Sequence, residues 1–215
     1  MSMQTSIKHA RFELSNIFRH PEQLLLLIGT PVALLTMLPN QKLILEFTIG
    51  ACAMASSFTS IAINTAFSRR YGTLKYLAVT PLGLRGLVIG QSLVGLSLLV
   101  VQLPVVYVTR LLTGFPPSTS FSIWFLLPLL LIFFTQLAFL FASVLSAERV
   151  LAFANIVFIL AMVSGFKLLP TDWSMFHPLS AFASGNENFP AALAALLVLN
   201  AATNILLRKN FRWLD

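Results

Sequence analysis

Charge is what this sequence has least of: Asp, Glu, Lys and Arg together make up 10% of its 215 residues. With 57% hydrophobic residues and a mean hydropathy of +0.86, that scarcity excludes an ordinary soluble domain and places the chain among polytopic membrane proteins. Cysteine is nearly missing too. Cys52 stands alone in an apolar run, which rules out an intrachain disulfide and leaves it as a small packing residue. No Asn opens an Asn-x-Ser/Thr acceptor, which fits a bacterial chain. No Gly-x-x-x-x-Gly-Lys-Ser/Thr occurs, so the chain has no P-loop for ATP. His9, His20 and His177 share no metal-ligand spacing. Ser184-Gly185 is faintly like the serine of an intramembrane protease, but no histidine follows on a later span to act as its base. The expectation is a chain that is not itself an enzyme.

What is there is an all-α integral membrane pattern in one domain, residues 1–215. Residues 1–20 read as an amphipathic N-terminal helix on the membrane surface. Ile7, Ala10, Leu14, Ile17 and Phe18 fall on one side, and Lys8, Arg11, Ser15 and Arg19 on another. An ordinary basic tail before the first span is the other reading of the same residues. Six transmembrane helices follow, at about 23–38, 46–67, 84–108, 121–145, 150–166 and 189–207. The first is short and carries Pro31, an expected kink. Residues 21–67 thus hold two spans, 83–166 three more and 189–207 the last, with a tail over 208–215.

Six spans put both termini on one side, and the basic residues choose the cytoplasm. Lys8, Arg11, Arg19, Arg69, Arg70, Lys75, Arg85, Arg149, Arg208, Lys209 and Arg212 then fall inside, and only Lys42, Arg110 and Lys167 outside. These boundary positions also argue against a nucleic-acid surface, despite a formal charge of +7. All three Tyr and all three Trp lie at or beyond span ends, where amphipathic rings prefer to sit. Residues 167–188 form an external segment too long for a turn. Leu168, Leu169, Trp173, Phe176, Leu179 and Phe182 predict short extracellular helices capping the bundle before the last span.

Away from their ends the spans hold no Asp, Glu, Lys or Arg. Proton-coupled carriers usually keep such groups in the membrane, which argues against gradient coupling. Sodium held by backbone carbonyls stays open. The spans do carry uncharged polar residues at helical spacing. Ser56, Ser60 and Asn64 recur every four residues, as do Asn200 and Asn204 with Thr203 beside them, and Asn155 stands in the fifth span. An unpaired amide facing lipid costs roughly 2–7 kcal/mol, so these faces are expected to point inward. Spacing alone leaves open whether they join helices or line a pathway. Gly86 and Gly90, with Gly95 beyond them, are a close-packing signal.

The longest basic break, residues 68–82, lies between the second and third spans. Gly72 and Thr73 can start a helix with Thr73 as N-cap, Leu74, Leu77 and Ala78 share a face, and Pro81 stops it after Thr80. This predicts a short amphipathic helix of two turns or less between two long apolar segments.

Arg70-Tyr-Gly72-Thr73-Leu74-Lys75-Tyr-Leu77-Ala-Val-Thr80-Pro81 resembles the cytoplasmic coupling-helix segment of ABC-2 type permeases, the exporter class that includes daunorubicin-resistance permeases. The Phe211-Arg212-Trp213 end, the N-terminal helix and the external segment resemble that family as well. Many members carry an acidic residue just before Gly-Thr-Leu, where this chain has Arg69, Arg70 and Tyr71. The resemblance implies a permease subunit of an ATP-driven exporter that moves a hydrophobic or amphipathic compound such as a drug, antibiotic peptide or lipid. It implies a second permease copy or a paralogous one, and a separate ATP-binding subunit that holds ATP and Mg. This chain would bind no cofactor itself. Arg69, Arg70, Gly72, Thr73, Leu74, Lys75, Leu77, Thr80 and Pro81 become the candidate coupling residues. The expected place is the cell membrane, in contact with lipid. An ion-gradient carrier or a non-transporting accessory protein is the alternative.

Overall fold

The computed structural model describes residues 21–37, 44–72, 83–116, 119–164, 177–183, 185 and 187–210, with Ile7, Lys8, Ala10, Arg11, Leu14 and Ser15. Helix dominates, and no strand occurs among the described residues. The elements are α1 (Pro21–Met37), α2 (Ile44–Arg70), α3 (Gly83–Leu112), α4 (Phe121–Val144), α5 (Ala147–Val163), α6 (Pro178–Ala183) and α7 (Phe189–Asn210). By length and composition α2, α4, α7 and Gly86–Leu112 of α3 are able to cross a membrane. Helices α1 and α5 have 17 residues each, at the lower limit for a span.

The bundle is built around α2. Every residue from Ile44 to Met54 is buried, and α2 packs against α1, α3, α4, α5 and α6. A helix that is apolar all round can be covered on all sides, and Ile49, Ala51, Cys52 and Ala53 have no exposed surface at all. Over Ala55–Thr59 the helix widens into a π-turn, which takes up one extra residue. Gly95 of α3 crosses at that turn, where a Cβ would collide with Ser57 Oγ. Of the three glycines read as a close-packing signal, Gly95 thus marks a close approach of α3 to α2.

Helix directions follow from a few bonds. Arg69, at the end of α2, donates to the carbonyls of Ala142 (3.0 Å) and Ser143 (2.8 Å), at the end of α4. These two helices therefore run parallel. Ser92 of α3 meets Thr135 of α4 at 3.2 Å, each about ten residues from the shared end, so α3 runs the other way. Asn200 of α7 donates to the Leu129 carbonyl of α4 at 3.0 Å, and Gly185, just before α7, packs on Leu126. Helix α7 is then parallel to α4.

Short helix α6 caps the end of the bundle where α2 begins. Phe182 and Leu179 lie over Gly50, whose missing side chain makes room: a Cβ there would sit 3.1 Å from Phe182. His177 holds this cap in place. Its Nδ1 accepts from the Ser180 backbone N–H at 3.3 Å, and its Nε2 lies 2.9 Å from Ser164 Oγ at the end of α5. With Nδ1 an acceptor, the ring is neutral and Nε2 donates to the serine. One short helix is therefore described where short extracellular helices were expected, and residues 167–176 lie outside the described residues.

At the N-terminus a few residues of the expected helix are described. Ala10 is buried against Val94 and Leu98 near the middle of α3, with Leu14 and Ala55 alongside. Ala10, on the apolar side, is thus covered by protein, while Ile7 on the same side is exposed; a small residue lets two helices approach closely. Lys8 and Arg11 are exposed, as the sequence pattern requires.

Candidate functional site

Two features of the bundle bear on function: its basic end and a groove in its side. The basic end gathers where α2 and α4 finish and α5 begins. Tyr71 N–H returns to Phe67 O at 2.9 Å and Gly72 N–H to Arg69 O at 3.0 Å, closing α2. Gly72 has φ +74°, the left-handed stop that glycine adopts without strain. Gly72 therefore ends the preceding helix. Thr73, Leu74, Lys75, Leu77, Thr80 and Pro81, and with them the short amphipathic helix, lie outside the described residues.

Arg69 and Arg70 are engaged within the chain. The Arg69 guanidinium caps α4, whose last carbonyls have no partner in their own helix. Arg70 pairs with Glu148 in the first turn of α5, both side chains being exposed. The Glu148 carboxyl is held below its usual range, first by its own backbone N–H and then by Arg70. The end of α2 is thereby tied to α4 and α5.

The polar residues read from the sequence divide. Ser56 is fully buried and donates to its own helix, at Cys52 O (2.9 Å) and Ala53 O (3.2 Å). Thr203 likewise bonds Leu199 O at 2.8 Å. Asn200 joins α7 to α4 through Leu129 O. Ser60 and Asn64 are half-buried. The π-turn between Ser56 and Ser60 interrupts their four-residue spacing, and they do not form one stripe. Asn155 corrects the inward expectation, because it lies on the exposed side of α5. A helix packed chiefly along one face leaves its other face outward whatever residue stands there.

Asn204 belongs to the second feature. A groove of about 420 Å³ opens between α3, α4 and α7, in the range of small-molecule sites, roughly 300–1,000 Å³. Its walls are aliphatic, with Val88, Leu93 and Leu96 facing Leu131 and Ile132. Polar groups occupy a narrow band: Ser92, which bonds Thr135, together with Gln136 and Asn204. Arg208 stands at the end nearest Val88 and Gln136. Gln136 is only 5% exposed, and its Oε1 accepts no hydrogen bond among the described residues.

Gln136 was missed in the sequence because it has no periodic companion. Thr135 and Gln136 are the only polar residues between Trp124 and Ser143, and that isolation was the available signal. At the opposite end of the bundle, Glu46 is buried in the first turn of α2, with the charges of Arg110 and Glu187 acting on it. No group of three His, Cys, Asp or Glu suited to a metal occurs among the described residues. No protein-family model, curated protein or solved structure matches the chain.

Proposed function

We propose that this chain is the membrane permease subunit of an ATP-driven exporter for a hydrophobic or amphipathic compound. The supporting observation is the tie at the basic end. Whatever pushes on the segment after Gly72 acts on a buried central helix and, through Arg69 and Arg70, on α4 and α5. A separate ATPase docking on residues 73–82 would have a mechanical route into the bundle. ATP and Mg would belong to that partner, and a second permease, identical or paralogous, would complete the transporter.

Six crossings are part of this reading. Helices α4 and α7 run parallel, and in this reading the chain returns across the bundle between them through α5, whose end meets His177 beside the cap. Helix α1, which packs against α2 and α3, is taken as the first crossing. Seventeen residues rise about 25 Å, against a hydrocarbon core of about 30 Å, which local thinning or flanking residues accommodate. The basic end then faces the cytoplasm and both termini with it.

The test is co-purification with a P-loop ATPase encoded beside this chain, followed by ATP hydrolysis. Leu74→Glu and Leu77→Glu are expected to lower assembly and turnover at least tenfold while helicity is kept. Unchanged assembly and turnover in both variants would sink the coupling reading. Glu46 provides the one handle on a proton-driven carrier, and Glu46→Gln is expected to leave ATP-driven transport in place. Abolished, pH-gradient-driven uptake in that variant would favour the carrier instead.

A further inference from the structure

We infer that the groove between α3, α4 and α7 is a binding site for one anionic phospholipid from the leaflet on the Arg208 side. Its aliphatic walls run from Val88 to Leu96, eight residues or about 12 Å of helix, long enough to lay an acyl tail against. Polarity is confined to a band beside the charged end, the arrangement that suits a molecule with a polar head and an apolar tail. Arg208 forms no ion pair among the described residues and is exposed at the groove end, so its guanidinium is available to a phosphate. Arg208 and Lys209 also complement the negative end of α7, which explains why cations stand there but not why one borders a groove.

Gln136 sharpens the choice of head. A buried amide oxygen without a donor is costly, and Gln136 lines the groove. Asn204 stands in the same wall. A head bearing hydroxyl donors as well as a phosphate satisfies Gln136 and Arg208 together, which a choline head cannot do. The site requires only that the chain sits in a membrane, and it stands or falls independently of the ATPase reading.

The full chain in dodecyl maltoside micelles is titrated with dioleoyl-phosphatidylglycerol or dioleoyl-phosphatidylcholine, and retained lipid is counted by native mass spectrometry. The tails are identical, so any difference comes from the head. Wild type is expected to retain the glycerol lipid about tenfold better, with the preference falling as salt rises from 50 to 500 mM. Arg208→Gln is expected to reduce the preference to twofold or less. Gln136→Leu lowers retention of the glycerol lipid several-fold while the salt dependence remains, and Ile132→Trp, which fills the groove, removes retention of both lipids. Circular dichroism checks that each variant keeps its helicity, and the wild-type comparison alone decides if one does not. Equal retention of the two lipids by wild type overturns the inference. So does a preference untouched by Arg208→Gln, or a wild type that binds neither lipid because a second copy covers the groove.

Discussion

Gly95 has no freedom to become anything larger. It faces Ser57 in the π-turn of α2, and a valine there would force the helices apart at their closest point. Overpacking of this kind costs about 1–3 kcal/mol. Gly95→Val is expected to lower the thermal unfolding midpoint in micelles. Ser57→Ala should restore part of the loss for Gly95→Ala, because among the described residues Ser57 Oγ has no hydrogen bond that the alanine would forfeit. Asn200 permits a second prediction at this scale. Its amide holds α7 to Leu129 of α4, and membrane hydrogen bonds between helices average about 0.6 kcal/mol with a ceiling of about 1.7. Asn200→Leu should cost stability in that range, read from the same unfolding curves. A variant as stable as wild type would remove the joining role.

Among the elements, the long spans were plain in the sequence because apolar runs bounded by Ser, Pro and basic residues admit few other readings. Helix α4 was expected over 121–145 and spans Phe121–Val144. Arg69 shows where the sequence stopped informing. Its charge was legible, but its target carbonyls on α4 are more than seventy residues away, and only the parallel packing of α2 on α4 brings them together. The π-turn left no trace in composition, and the groove depends on three helices far apart in sequence coming together. Arg69→Gln should cost about 2 kcal/mol, the scale of a hydrogen bond to a charged group. Faster hydrogen exchange at the end of α4 than in wild type would register it. At the other end, burial lowers the His177 pKa from its model-compound value of 6.5. A depressed folded value means the unfolded cap binds the proton first, so the stabilisation is complete above pH 6.5 and is lost as pH falls through the folded pKa. Exchange in Pro178–Ala183, corrected for intrinsic rates, should quicken between pH 7.5 and 5, and His177→Gln should flatten that dependence.

For the whole molecule, the lone buried Cys52 is a convenience. Shielded within α2, it leaves a silent background for cysteines placed elsewhere. Ser146→Cys and Asn210→Cys are expected to react with an impermeant maleimide from one face of the membrane only. Pro116→Cys and Glu187→Cys should react from the opposite face only. Labelling of Ser146→Cys and Glu187→Cys from the same face would remove the crossing assigned to α5 and, with it, the six-span arrangement. The charge asymmetry and the aromatic positions are what predict this topology, because both answer to the bilayer rather than to the packing of any one helix.

The π-turn in α2 has a mechanical meaning as well. Each residue of an α-helix turns the chain by about 100°. Converting Ala55–Thr59 to ordinary α-geometry would rotate everything from Ser60 to Gly72 by about that angle relative to the capped half above. Arg69 would leave the carbonyls of α4, and the segment beyond Gly72 would swing around the bundle axis. Such a change would make the central helix two rods joined at a swivel, turning torque applied at one end into release of its neighbours without unfolding.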